Sequence, residues 1–468
     1  MCYHVGMNIT GRFLSLTAFL WLLITASPAA AKRFSFAVFA DNQPPEYLVK
    51  YSRVSDVIVA DIAKRAPAFV VTCGDHVRGY VYSELTSRRM WRTYASLIAP
   101  LKSIPVHNVV GNHDIWDEAS GKLWDEYMGK RHYSWEYENN LFIALDAETD
   151  TNAITGEQLE WLKKLLSRTE RYDNVFVAIH RPFFRPYING KLIDWDMNLY
   201  TRPKEEAVLL DLLAKSGMKM GFAGHYHEYD LDYRHGILQF ITGGGGGELD
   251  TEDAAKAFHH YLWVDVDGKK VDVKVIRPDF SGVKDERFVM KLPSVIEDFE
   301  ADDGPNVCDF WNEKVGGEMA PMPDGKGGRG LKITWDFSDY EWPMLMLDFE
   351  PFKECKAKAR TLSFEVLVPE GTPVNPPLKC WVSLSGKNGE YSSKDLFLKK
   401  AGRQTFSLNL RKSEWTWNNK KEGKAKKEKK EQTVNLAKIG PLTSFQFALS
   451  GYGRKEKGIV WLDNITIK

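Results

Sequence analysis

Residues 106–114 read VHNVVGNHD. Val106 to Val110 is a short apolar β-type run, and the chain then breaks into Gly111-Asn112-His113-Asp114. A strand that ends this way sets an amide, an imidazole and a carboxylate at one edge of a sheet. Alone, the tetrapeptide also reads as a turn with an N-cap. The same order, apolar run then polar cluster, recurs four times. Arg33 to Ala40 runs into Asp41-Asn42-Gln43, and Ala68 to Cys73 into Gly74-Asp75. Val175 to Ile179 precedes His180, and Lys219 to Phe222 precedes Gly224-His225-Tyr226-His227. A single Gly-Asp is usually a turn and a lone His usually packs in a core. Five such clusters in order argue for a site.

Working outward, helical and β-type runs alternate from Phe34 to about Arg277. Val54 to Lys64, Arg88 to Leu101, Thr155 to Ser167 and Lys204 to Lys215 read as helices. Asn140 to Asp146 and Ile237 to Ile241 add strands, and Tyr261 to Asp265 with Lys270 to Ile276 reads as a hairpin across Asp267-Gly268. This alternation predicts an α/β architecture. Ligands of such folds gather at the carboxyl ends of strands, where all five clusters stand. Carboxylates mixed with imidazoles and an amide suit Fe, Mn or Zn rather than Ca. His225 and His227 can both face one site, and a carboxylate such as Asp75 can bridge two cations. Two cations about 4 Å apart polarise a phosphoryl oxygen and generate hydroxide near neutral pH.

The ordered set resembles the calcineurin-like metallophosphoesterase superfamily over roughly Phe34 to Asp279. That pattern is D-x-H, G-D-x-x-D/N, G-N-H-D/E, H and G-H-x-H. Gln158-Leu159-Glu160-Trp161-Leu162, His180-Arg181-Pro182 and the run Gly243 to Gly247 support the likeness. The glycine run lacks the Lys-Ser/Thr of a P-loop and is read as backbone closely approaching the site. The resemblance implies a four-layer α/β/β/α sandwich. It also implies hydrolysis of a phosphate monoester or diester by a metal-bridging hydroxide. Asp41, Asp75 and His227 would hold one metal. Asp75 would bridge to the second, held by Asn112, His180 and His225. His113 would protonate the leaving oxygen or stabilise the phosphoryl charge, with Asp114 orienting its ring.

Two positions depart from that pattern. Gln43 stands where the family has His; its amide oxygen can coordinate, but more weakly than imidazole. Arg78 stands where the family has Asp or Asn, and Arg78 and His76 are read either as facing substrate phosphate or as ordinary loop residues. His107 is read as packing, and His132, His235, His259 and His260 as ordinary residues. Arg181, Arg185, Trp116 and Tyr226 adjoin ligand positions without a motif of their own.

From Leu292 onward only short β-type runs recur, punctuated by Gly and Pro, which predicts an all-β sandwich. Its opening, Ile296 to Glu300, and its close, Val460 to Ile467, resemble a carbohydrate-binding-type, galactose-binding-like jelly roll. The resemblance implies glycan binding, with Trp415 and Trp417 as candidate stacking platforms and the other Trp residues as core. A structural Ca using Asp463 has no support from spacing. Asn418 to Gln432 is a Lys/Glu-rich run read as a solvated loop. Cys73 reads as a buried small hydrophobe, and Cys355–Cys380 is the disulfide pair worth testing.

Residues 1–31 read as a signal peptide: Arg12, an apolar run from Phe13 to Ala26, and small residues ending Ala29-Ala30-Ala31. The run is short for a span, so the expected location is secreted or periplasmic, with no membrane span after cleavage. Residues 32–292 would form the phosphoesterase domain and 293–468 the sandwich. A chain ending near Pro293 is expected to fold alone, since about 260 residues suffice for a core. Lys plus Arg number 63 against 63 Asp plus Glu, so no nucleic-acid-binding surface is expected. The leading reading is a metal-dependent phosphoesterase. The alternative is a non-catalytic secreted scaffold presenting a glycan-binding sandwich.

Overall fold

The computed structural model describes residues 33–44, 50–149, 152–184, 187–188, 191–192, 203–218, 220–249, 253, 255–283, 295–297, 299, 307–310, 316–326, 328–338, 343–348, 360–386, 388–412, 414–419, 428–439, 442–451 and 453–467. The signal-peptide reading, the boundary near residue 293, Arg185 and Cys355 lie outside the described residues.

The first half runs β1 (Phe34–Phe39), α1 (Arg53–Arg65), β2 (Phe69–Cys73), α2 (Glu84–Ile98), β3 (Val106–Val109), α3 (Glu118–Tyr127), β4 (Tyr133–Tyr137) and β5 (Asn140–Ala144). It continues with α4 (Gly156–Leu166), β6 (Asn174–Ala178), the short pair β7 (Tyr187–Ile188) and β8 (Lys191–Leu192), α5 (Pro203–Lys215) and β9 (Met220–Ala223). It ends with β10 (Tyr229–Arg234), β11 (Ile237–Thr242), β12 (Tyr261–Asp267) and β13 (Lys270–Ile276). One sheet has the order β13-β12-β1-β2-β3 and a second the order β10-β11-β9-β6-β5-β4. Strands β1, β2 and β3 are parallel, as are β5, β6, β9 and β11. Their carboxyl ends therefore share one edge.

The central strands of each sheet are apolar on both faces because both are covered. Between the sheets lie Phe36, Val38, Phe69, Val71, Phe142, Phe176, Phe222 and Phe240. The Phe36 ring stacks on Phe69 at 5.1 Å and meets Phe142 edge-on at 5.3 Å. Ile58, Ile62, Trp91, Tyr94 and Trp124 of α1, α2 and α3 cover the outer face of the first sheet. Leu162, Leu209 and Leu213 of α4 and α5 cover that of the second. The result is the expected four-layer α/β/β/α sandwich. Helix α1 starts where the Ser52 side chain accepts from the Ser55 N–H, and ends with Ala66 in the left-handed region. Sequence periodicity placed α2 four residues late and passed over α3, β4 and β10. Helix α3 is short and starts with a reciprocal cap between Asp117 and Ser120. Strand β10 is polar and half-buried at a sheet edge.

The second half runs β14 (Val295–Glu297), β15 (Val307–Phe310), β16 (Gly316–Pro321), β17 (Arg329–Asp336), β18 (Met344–Asp348), β19 (Thr361–Val368) and β20 (Leu378–Gly386). It continues with β21 (Gly389–Ser393), β22 (Leu396–Leu398), β23 (Gly402–Asn409), β24 (Trp415–Asn419), β25 (Glu428–Gln432), the single turn α6 (Leu436–Ile439), β26 (Leu442–Ser450) and β27 (Lys457–Ile467). Two antiparallel sheets, β16-β17-β27-β19-β23 and β15-β18-β26-β20-β21-β24-β25, enclose one core. The opening strand β14 pairs with the closing strand β27.

Two sequence expectations change here. Trp415 and Trp417 are 1 % and 4 % exposed and belong to that core, so they are not a glycan platform. Both alternate positions of their strand face inward, and burial of the large rings outweighs display. The end of the Lys/Glu run is not loop: Glu428 to Gln432 forms β25, paired with β24. Charge on such an outer strand discourages further pairing. Asp463 pairs with Arg403 at 3.3 Å, and Arg403 also binds Asp324 at 2.8 Å and Glu365 at 2.6 Å, so a guanidinium supplies the positive charge there. Cys73 is buried as expected, and Cys380 is a buried free thiol.

The halves meet across α2. Leu85 packs in the sandwich core. Arg89, fully buried, reaches Glu297 at 3.3 Å.

Candidate metal centre

Asp41 follows β1, Asp75 follows β2, Asn112 follows β3, His180 follows β6, and His225 and His227 follow β9. Close backbone approach brings the two sheets' loops together. Gly245, after β11 of the second sheet, donates to the Ala40 carbonyl at the end of β1 in the first, and Gly224 donates to the His180 carbonyl within the second. A Cβ on Gly224 would stand 2.4 Å from Asp41 Oδ2, and one on Gly245 would stand 2.1 Å from the Ala40 oxygen. The glycine run thus lets backbone lie against the site, as the sequence suggested. Asp41, Asp75 and His225 all hold φ between 57° and 74°. That region costs non-glycine residues about 1–3 kcal/mol each and collects at functional sites.

The side chains converge on Asp75. Ligand atoms of Asp41, Asp75 and His180 lie within 4.8 Å of one another. His180 Nε2 is 3.3 Å from Asp75 Oδ1 and 3.0 Å from Asn112 Oδ1. His225 Nδ1 is 2.8 Å from Asn112 Oδ1 and 3.2 Å from His180 Nε2. On the other side, His227 Nε2 is 3.6 Å from Asp41 Oδ1 and 2.9 Å from Gln43 Nε2, which is 3.4 Å from Asp75 Oδ2. Asn112, His180 and His225 thus lie on one side of Asp75, and Gln43 and His227 on the other, with Asp41 close to His180 as well as to His227.

These residues fit a metal. A carbonyl can only accept, so His180 donates its Nδ1 proton to Cys73 at 2.8 Å and His227 donates its own to Glu248. The second ring nitrogen of each is left facing the acids, the usual way a ligating imidazole is oriented. Two ring nitrogens 3.2 Å apart beside a carboxylate and an amide oxygen need a proton or a cation between them. Gln43 Oε1 is buried and has no hydrogen-bond partner among the described residues. Electrostatics reports the same crowding. Burial lifts the Asp41 carboxyl to about 6, against the pull of His227 and His180. Burial would lower His180, but the Asp75 carboxylate beside it lifts it to about 10. Burial and the neighbouring His180 push His225 well below its ordinary value.

His113 stands at the rim, 31 % exposed, with Nε2 4.0 Å from Asp75 Oδ2. Its Nδ1 donates to the Arg78 carbonyl at 2.5 Å. Asp114 does not orient this ring, contrary to the sequence expectation. It is fully buried and accepts from the N–H groups of Asp75, His76 and Gly111, and from His76 Nδ1 at 2.9 Å. Asp114 therefore holds the loop that presents Asp75. His76 is fully buried in that network and does not face substrate. Arg78 serves through its carbonyl, while its guanidinium donates to the Gly79 carbonyl at 3.3 Å. His107 packs as expected, stacked on Trp135 at 3.8 Å.

Two features had no motif. Arg181 binds Glu148 through three contacts of 2.7 to 3.1 Å, and its Nη1 lies 3.4 Å from His225 Nε2. Glu148 follows the run Asn140 to Asp146, so its place beyond a strand end was the available signal. Gln158 fixes the same turn by exchanging hydrogen bonds with Asp146 backbone at 2.9 and 2.8 Å. Tyr80 accepts from Asn112 Nδ2 at 2.9 Å and lies edge-on to His113 at 4.9 Å.

Residues 34–229 match the family model described as calcineurin-like phosphoesterase. The chain is 28 % identical over 177 residues to the serine/threonine-protein phosphatase CPPED1 of Homo sapiens, covering 34 % of this chain and 54 % of that protein. The Rattus norvegicus protein of the same name is 27 % identical over 174 residues, with the same coverage. The chain spans about half the length of the curated relatives it matches. Among solved structures, purple acid phosphatase PPD1 from yellow lupin (Lupinus luteus) aligns with TM-score 0.39 and 14 % identity over 52 % of each chain. The family 11 carbohydrate-binding module of a Clostridium thermocellum cellulase aligns with TM-score 0.25 and 12 % identity, over 37 % of this chain and 92 % of that one. By its matching family model, residues 34–229 of this chain are a calcineurin-like phosphoesterase domain.

Proposed function

We propose that the chain is a secreted or periplasmic hydrolase of phosphate monoesters or diesters that works with two metal ions of the Fe, Mn or Zn class. The observation that carries this reading is the set of inward-turned ring nitrogens of His180 and His227 around Asp75, on loops stitched together by backbone hydrogen bonds. Asp41, Gln43, Asp75 and His227 would hold one ion, and Asp75, Asn112, His180 and His225 the other. Bound there, the ions supply Lewis-acid polarisation of the phosphoryl oxygen and acidify an attacking water.

The rest of the chemistry belongs to the chain. The Arg78 carbonyl fixes the His113 tautomer, so Nε2 is the nitrogen that exchanges a proton with the leaving oxygen. Asp114 stiffens the loop carrying Asp75, and Asn112 is oriented by giving its amide N–H to Tyr80. No side chain is required as a covalent nucleophile. The secreted part of the proposal rests on residues 1–31, and sequencing the amino terminus of exported protein tests it. The hydrolytic part is tested by chelation. Turnover of a small chromogenic phosphoester should vanish with the metals and return on adding Fe, Mn or Zn. Turnover that survives complete metal removal overturns it.

A further inference from the structure

The segment from Gly74 to Ser83 connects the metal centre to the sandwich. At its start, Asp75 and His76 are held through their N–H groups by Asp114. Tyr80 sits in its middle at φ 52°, a conformation that a tyrosine rarely adopts unless its surroundings impose it. Half of its surface is open, at 51 %. Its hydroxyl accepts from the ligand-side residue Asn112, and its ring lies 4.9 Å from His113 and 6.0 Å from Trp116. At the end of the segment, the N–H groups of Tyr82 and Ser83 both donate to Asp309 Oδ1, at 2.7 and 3.1 Å. Asp309 lies on β15 of the sandwich, 227 positions beyond Tyr82. Ser83 then caps α2, whose Leu85 and Arg89 are anchored in the same sandwich.

The Tyr80 ring is edge-on to His113 at 4.9 Å, so it adjoins the place where a group receiving a proton from His113 would sit. We propose that Asp309 is a positioning residue through which the sandwich fixes Tyr80 as the wall for an aromatic leaving group of the phosphoester. This rests on the phosphoesterase reading above. A carboxylate oxygen that accepts two successive backbone N–H groups sets the direction of the chain on both sides of it. The strained Tyr80 is only two residues away.

The test uses the full chain with an aryl and an alkyl phosphomonoester. Tyr80→Ala should lower the preference for the aryl ester, read in KM, by about 2- to 12-fold, the worth of one aromatic contact. Tyr80→Phe should keep that preference. Asp309→Ala should lower it similarly, whereas Asp309→Asn, whose Oδ1 can accept the same two N–H groups, should keep it. The double variant Tyr80→Ala/Asp309→Ala should lose no more preference than Tyr80→Ala alone. Additive losses, or a fall in kcat on both esters with KM unchanged, would overturn the proposal. If Asp309→Ala fails to fold, a lost aryl preference in Asp309→Asn overturns it instead. Amide exchange at Tyr82 and Ser83 reads the contact without turnover and should quicken in Asp309→Ala; unchanged exchange overturns it. A wild type that hydrolyses neither ester with metal loaded would sink the phosphoesterase reading, and this proposal with it, even where exchange shows the contact intact.

Discussion

His113 gives one ring proton to the Arg78 carbonyl and stands at the rim of the site, its other nitrogen 4.0 Å from Asp75 Oδ2. His113→Ala should therefore keep the metals and lower turnover by about 10²–10⁴. Elemental analysis beside initial rates checks this, and loss of both metals would contradict the role. Asp114, the next residue, should behave differently. It satisfies four buried backbone N–H groups and the His76 ring at once. Asp114→Ala should cost about 3–5 kcal/mol of stability by stranding those donors, which a denaturant titration measures. Residue types and order were enough to pick out the side chains that gather around Asp75, because strand ends and donor chemistry restrict both. They could not assign Asp114, since its partners follow from loop curvature. Glu148 and Arg181 escaped because a pair 33 positions apart leaves no local pattern.

The carboxyl ends of β1, β2, β3, β6 and β9 form the site, and their register is fixed by apolar faces buried on both sides. Those faces made the strands legible before the helices' exact starts. Helix α2 begins at a Ser83 cap rather than with apolar periodicity, and β10 has too little buried surface to stand out. Glycine at the strand-to-loop joint is what lets the elements close on the ligands. In Gly224→Ala the new methyl would press on the Asp41 carboxylate. Metal affinity should fall about 10–100-fold, the usual scale for disturbing a ligand's support. A chelator competition titration checks it, and unchanged affinity would show that the joint can yield.

At the scale of the whole molecule, the sequence divides cleanly but the structure does not. A break in pattern near residue 293 marks two folds, yet Leu85 of the first packs in the core of the second and Arg89 is buried against Glu297. Side chains that cross between folds leave no trace in local periodicity. A chain ending at Pro293 should therefore be less stable than the whole, since Leu85 alone contributes about 1.5–3 kcal/mol by its burial. Its melting temperature should fall below the first transition of the full chain, and equal values would show that the sandwich adds nothing. The central claim is a two-metal centre on the edge of the α/β/β/α layers. Elemental analysis of the purified full-length chain after reconstitution with Fe, Mn or Zn tests it most directly. About two ions per chain are predicted, with Asp75→Asn retaining fewer because Asp75 faces both groups of ligands. A wild-type chain that binds none would contradict the account.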